Sequence, residues 1–173
     1  FGATVSGRPP ELEGAETMIG LFINTLPVRV QVSPGALVVP WLQAIQAQQV
    51  EQREYEYSPL VQVQGWSDVP RGTSLFESIL VFENYPLPTG GAGGQDHLSL
   101  GGIRSAEHVN YPLALVAGLA DTLVLKLAYD GGRFETATIR RMLGHLGTLL
   151  EAMATDPEQR LDRLSILTAG ERQ

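Results

Sequence analysis

Residues 19–29 read Ile-Gly-Leu-Phe-Ile-Asn-Thr-Leu-Pro-Val-Arg, an apolar, β-branched run with a polar Asn24-Thr25 pair inside it and Pro27 and Arg29 behind. The run predicts a strand that enters at Ile19, is interrupted at Pro27 and runs on through Val28 to Val32. An unpaired amide buried in such a strand costs roughly 1–3 kcal/mol. Asn24 is therefore either paired inside the fold or faces a space into which something else arrives.

Upstream, Phe1 to Ser6 reads as a short strand that Gly7-Arg8-Pro9-Pro10 ends, because proline has no N–H to give a ladder. Glu11 to Thr17 is acidic and aperiodic, which predicts a loop with at most one helical turn. Downstream, Ser33-Pro34-Gly35 is a turn. Leu37, Trp41, Leu42 and Ile45 then recur at helical spacing, and Ser58-Pro59 forces the helix to stop near Glu54 to Tyr57. Leu60 to Gln64 adds one more turn.

Leu75 to Phe82 predicts a strand buried on both faces, halted by Glu83-Asn84-Tyr85-Pro86. Gly90, Gly91, Gly93 and Gly94 mark a loose loop, and Leu98 to Val109 suits a strand bulged at Gly101-Gly102. Tyr111 to Leu119 and Thr122 to Tyr129 form a hairpin. The last helix starts near Glu135 or Thr136, and its stripe of Ile139, Met142, Leu143, Leu146, Leu149, Leu150 and Met153 predicts a core face that ends before Asp156-Pro157. This order implies an α+β fold with a mixed, mostly antiparallel sheet.

At 173 residues with 43% apolar and 18% charged side chains, the chain has the balance of one folded domain. A net charge of −7 argues against a nucleic-acid partner. The lack of cysteine excludes disulfides and thiolate metal sites and is compatible with a cytoplasmic setting. No apolar run reaches the roughly 18–20 residues that span a bilayer, so no membrane segment is expected. Phe1-Gly2-Ala3-Thr4-Val5 carries neither an initiator methionine nor a leader and opens in a strand, which reads as a piece of a longer polypeptide.

Chemistry-bearing motifs are sparse. His97 stands beside Asp96 in the glycine-rich loop, His108 follows Glu107 in a candidate strand, and His145 borders the stripe of the last helix. None has the spacing of a metal site or a placed nucleophile, so no metal ligand and no catalytic residue is expected in this chain. Gly90 to Gly94 lacks the lysine and hydroxyl of a phosphate loop, and no Gly-x-Ser-x-Gly elbow occurs.

Several stretches together resemble the condensation domains of nonribosomal peptide synthetases. Ile19-Gly20-Leu21-Phe22-Ile23-Asn24-Thr25, with Arg29 behind, is similar to that family's fifth core motif, and Gly2 to Pro9 to its strand ending in Gly-Arg-Pro. Tyr55-Glu56-Tyr57-Ser58-Pro59-Leu60 stands where the sixth motif falls, with Ser58 inserted. Arg71 to Phe76 falls at the seventh, and Leu75 to Pro86, ending Phe82-Glu83-Asn84-Tyr85-Pro86, is very like the strand that follows. Leu164 to Arg172 resembles the exit toward an adenylation domain.

The resemblance implies a two-layer αβ sandwich, a chloramphenicol-acetyltransferase-like lobe. Residues 1–167 would be the C-terminal lobe, with a floor loop at about 7–19 and a latch or crossover at about 87–111, and 168–173 would begin a linker. The family joins acyl or peptidyl donors to aminoacyl acceptors, both borne on 4'-phosphopantetheine arms of carrier proteins, so no cofactor would bind the lobe directly. The motif wording leans toward an L-type donor. Its signature His-His-x-x-x-Asp-Gly is absent from these residues, which implies a half inactive alone. Asn24 would line the substrate tunnel, holding substrate or neighbouring backbone, with Arg29 and Arg8 as support. Partners would be the N-terminal lobe, donor and acceptor carrier proteins and an adenylation domain. A non-catalytic docking module and an epimerisation lobe are the alternatives.

Overall fold

A computed structural model of the chain describes residues 1–8, 12–15, 17–83, 110–119 and 121–172. Strands β1 (Gly2–Val5) and β2 (Asn24–Pro27) are followed by helices α1 (Val38–Gln52) and α2 (Leu60–Trp66). Strands β3 (Ser78–Glu83), β4 (Leu113–Leu119) and β5 (Leu123–Tyr129) and helix α3 (Thr136–Thr155) complete the elements. The strands form one sheet in the order β2-β1-β3-β4-β5. The pairs β1–β2 and β4–β5 are antiparallel, whereas β1–β3 and β3–β4 are parallel. The sheet is mixed, as the pattern implied, with parallel pairing at its centre.

Register sorts the side chains onto two faces. Leu80, Leu115 and Leu127 lie in register on the face that meets α3, above which Met142, Leu146 and Leu149 leave a cavity of about 440 Å³. Consequently only Ile139 of the α3 stripe is fully buried. The opposite face carries Ile79 and Ala114 under Phe76, whose ring stacks on Tyr111 with centroids 5.4 Å apart. Leu60 of α2 packs on the same cluster.

α1 guards the outer edge of the sheet. Its Gln52 and Gln48 side-chain amides donate to the carbonyls of Pro27 and Arg29, and the Trp41 indole N–H donates to that of Gln31, at 2.8–3.2 Å. These bonds occupy acceptors that an open strand edge would offer to another chain. The expected stripe of α1 is used in part: Trp41 and Ile45 are half-buried, while Leu37 and Leu42 remain exposed, and the residue the helix buries fully is Val38, outside the stripe.

The opening stretch departs from expectation. Ile19 to Ile23 makes no ladder, and β2 starts only at Asn24. Its β-branched composition suits a strand, but the Arg8 side chain donates to the carbonyl of Met18 at 3.2 Å and lies 4.1 Å over the Phe22 ring, drawing this limb into a loop. Ile19 and Leu21 therefore face outward, at 104% and 91% exposure. Nor does the strand reach Val32; the ladder closes at Pro27, with one further bond from the Val28 N–H to the Phe1 carbonyl. β3 is half-covered rather than buried on both faces, because Phe82 at its end is 56% exposed. The Gly90–Gly94 loop, the strand expected at Leu98 to Val109, His97 and His108 lie outside the described residues.

The C-terminal segment is tied to α3. Glu171 accepts from the Thr168 hydroxyl at 2.7 Å and the Thr168 N–H at 2.9 Å, and it meets His145 Nε2 at 2.9 Å. Those hydrogen bonds, the Thr168 hydroxyl foremost, lower the Glu171 carboxyl from 4.5 to about 2. A depressed carboxyl stabilises the fold above its unfolded value and loses that contribution as the pH falls through the folded one. The docked segment is therefore expected to hold above pH 4.5 and to loosen as the pH drops toward about 2. Amide exchange at Thr168, followed by NMR through that window, checks it; Glu171→Gln should abolish the pH dependence.

Candidate functional site

β1 and β3 are parallel, so their carboxyl ends open at the same end of the sheet, the place where diverging loops leave a crevice. A cleft of about 600 Å³ lies there. Val5 and Ser6 from β1 and its exit, Val81, Phe82 and Glu83 from β3, and Leu21 and Ile23 from the returning loop are among the residues that line it.

Arg8 organises the loop side of this cleft. Its guanidinium donates to the carbonyls of Ala15 and Met18, both Nη atoms reaching the latter at 3.2 Å, and its plane covers Phe22. The planar cation suits this use, since it can donate in plane and stack out of plane. Gly7 makes the loop possible: its φ is +62°, and a Cβ there would fall inside the van der Waals radius of the Phe22 carbonyl oxygen.

Asn24 opens β2 opposite Val5, at the same end of the sheet. Its amide is engaged within the chain. Nδ2 donates to the carbonyls of Glu56 and Ser58, each at 2.8 Å, and Oδ1 accepts from the Thr25 N–H at 2.9 Å. Both donors therefore hold the turn that precedes α2. Of the two options posed by the sequence, pairing inside the fold is the one the geometry supplies, and neither Asn24 nor the Glu56–Ser58 turn it fixes is among the residues that line the cleft.

Arg29 sits beyond the other end of β2, exposed, beside Phe1, Val28 and Val63. The structure thus brings Arg8 and Asn24 to one end of the sheet and leaves Arg29 at the other. Among the described residues Arg29 forms no ion pair. Val81, Phe82 and Glu83 line the cleft, although sequence reasoning quotes Phe82 and Glu83 only for a family-like strand and assigns none of the three to a site. Their signal is positional, at the end of a central strand, and the pairing that creates that end spans long connections.

Among the described residues no histidine lines the cleft and no cluster of metal-ligating side chains occurs. His145 lies on α3, engaged with Glu171. The cleft offers shape, apolar wall and one opposed charge pair in composition, Arg8 and Glu83.

Comparison with known proteins settles the family: the profile of the condensation domain matches residues 1–173. The chain belongs to the condensation-domain family. This condensation-domain chain is 54% identical over its full length to one component of the linear gramicidin synthase of Brevibacillus parabrevis, and covers 3% of that protein. It is 34% identical over 175 aligned residues to surfactin synthase subunit 3 of Bacillus subtilis (strain 168), covering 14% of it. The chain is thus a small portion of the curated relatives it matches. Among solved structures, 97% of the chain superposes on 14% of a four-domain nonribosomal peptide synthetase bound to AMP and glycine, with a TM-score of 0.81 at 21% identity. It also superposes on the X-domain complex with OxyB from teicoplanin biosynthesis, with a TM-score of 0.70 at 22% identity, covering 96% of the chain and 37% of that one. These likenesses bear out the chloramphenicol-acetyltransferase-like αβ architecture. No helix among the described residues is long and apolar enough to cross a membrane.

Proposed function

We propose that this chain is the C-terminal half of a nonribosomal peptide synthetase condensation domain and supplies one wall of its amide-forming site. The observation that carries the reading is the cleft at the carboxyl ends of β1 and β3, open to solvent and walled by apolar side chains, in a chain that matches the family end to end. In the reaction, the acceptor amine nitrogen attacks the donor thioester carbonyl; the carbon–sulfur bond breaks, the pantetheine thiol leaves, and the amine proton is taken up. Among the described residues the cleft has no histidine, and its one carboxylate, Glu83, stands exposed at the end of β3; on this reading the half holds and orients while the other lobe supplies the base.

On this reading residues 1–167 are the lobe, 7–19 floor the tunnel, the latch falls at about 87–111, mostly outside the described residues, and 168–173 begin the linker. Arg8 shapes the floor, Asn24 sets its border with the Glu56–Ser58 turn, and Arg29 supports from the far end. Partners are the N-terminal lobe, two carrier proteins whose phosphopantetheine arms bring the substrates, and an adenylation domain, all in the cytoplasm. Exposure of Ile19, Leu21 and Ile23 supports a lobe that meets another surface.

A second reading, a docking module without chemistry, is favoured by the likeness to the X-domain in complex with OxyB. The test is amide formation between two loaded carrier proteins. The complete domain should turn over and this chain alone should not; a complete domain that forms no amide favours docking.

A further inference from the structure

Building on the condensation reading, we propose that the cleft receives the apolar side chain of a carrier-borne aminoacyl group, and that Phe82 is a specificity-determining wall. Large apolar side chains cluster there with solvent on their faces: Leu21 is 91% exposed, Ile23 60% and Phe82 56%. Such exposure is costly unless something covers it, and an apolar group gains by leaving water there. The space, about 600 Å³, falls within the range of small-molecule sites and takes a leucyl or aromatic side chain.

Charge narrows the choice further. Arg8, the cation among the lining residues, already donates to the Ala15 and Met18 carbonyls and stacks on Phe22. A carboxylate entering the cleft would have to pull it from these partners. Glu83 stands on the same lining and repels an acidic side chain. The hydroxyls of Thr4 and Ser6 offer neutral hydrogen bonds only. An apolar side chain meets the exposed faces of Leu21, Ile23 and Phe82, whereas an acidic one meets a repelling carboxylate and a committed cation. Phe82 holds the deciding position because it stands one residue before the end of the central strand β3, past the stretch paired to β1 and held by its pairing with Ala117 of β4.

The test uses the complete condensation domain with two carrier proteins and varies one aminoacyl group at a time between leucyl and aspartyl. On the carrier whose side chain enters this cleft, leucyl should be preferred by on the order of 100-fold, since each lost methylene contact is worth about tenfold or more. The arm that discriminates, donor or acceptor, names which substrate the cleft serves. Phe82→Asp should cut that preference at least tenfold, and Phe82→Leu should retain it; circular dichroism melts of each variant report folding separately. Equal use of leucyl and aspartyl on both carriers overturns the proposal, as does a preference that a folded Phe82→Asp leaves unchanged. Absence of amide from every pair in the unmodified domain overturns the condensation reading itself and this proposal with it.

Discussion

Replacing Gly7 by alanine is expected to destabilise the chain by roughly 2–4 kcal/mol, the largest loss from any single added methyl on the loop. Two costs combine. The backbone at Gly7 has φ +62°, which an L side chain adopts only under strain, and the new Cβ would overlap the Phe22 carbonyl oxygen. That oxygen belongs to backbone, so relief requires moving the limb that carries Leu21 and Ile23 into the cleft wall. Gly72 provides the control: its φ is +88°, yet a Cβ there meets nothing within 4 Å. Gly72→Ala should cost only about 1–2 kcal/mol, from conformation alone. Urea unfolding of the two variants measures the difference, and equal losses would show that the Phe22 approach is not a constraint.

Asn24→Ala is the second large effect. It strips two hydrogen-bond partners from the Glu56 and Ser58 carbonyls and one from the Thr25 N–H. Ser58 is 7% exposed, so water replaces these bonds poorly. A loss of about 1–3 kcal/mol is expected. Asn24→Asp should be worse despite its equal size, because a carboxylate oxygen would face two carbonyl oxygens and donate to neither. The local readout is the Ser58 N–H, which donates to the Tyr55 carbonyl at 2.9 Å within the same turn. Its hydrogen exchange should accelerate in both variants. In the complete domain amide formation should fall with it, through a displaced turn rather than a lost substrate contact.

The two effects show where sequence reading reached and where it stopped. The α3 helix and the β4–β5 hairpin are written in local periodicity and a short turn, so both were legible to within a few residues. The awkward amide of Asn24 was legible too, as a group needing partners. Its partners stand 32 and 34 residues away, and no local rule points to them. Ile19 to Ile23 looks like a strand by composition; what keeps it off the sheet is one arginine well upstream, Arg8, bonding to Met18 and covering Phe22. The glutamines of α1 lie outside its apolar stripe, yet Gln48 and Gln52 serve the sheet edge. Phe82 read as core because hydrophobicity says nothing of where a strand ends relative to its neighbours. The cleft depends on parallel pairing of β1 with β3 across a connection holding β2, α1 and α2, and that long-range pairing was out of reach. Family motifs closed part of the gap by pointing to Asn24 and Arg8, while the cleft residues between them emerged from the fold.

The side chain of a carrier-borne aminoacyl group is expected at the carboxyl ends of β1 and β3, and its position can be read directly. A carrier protein loaded with a photoreactive leucine analogue, irradiated on the complete domain and mapped by mass spectrometry, reads that position. Label on Leu21, Ile23, Val81 or Phe82 is the predicted result. Label confined to the opposite end of the sheet, around Phe1, Val30 and Val63, would contradict it.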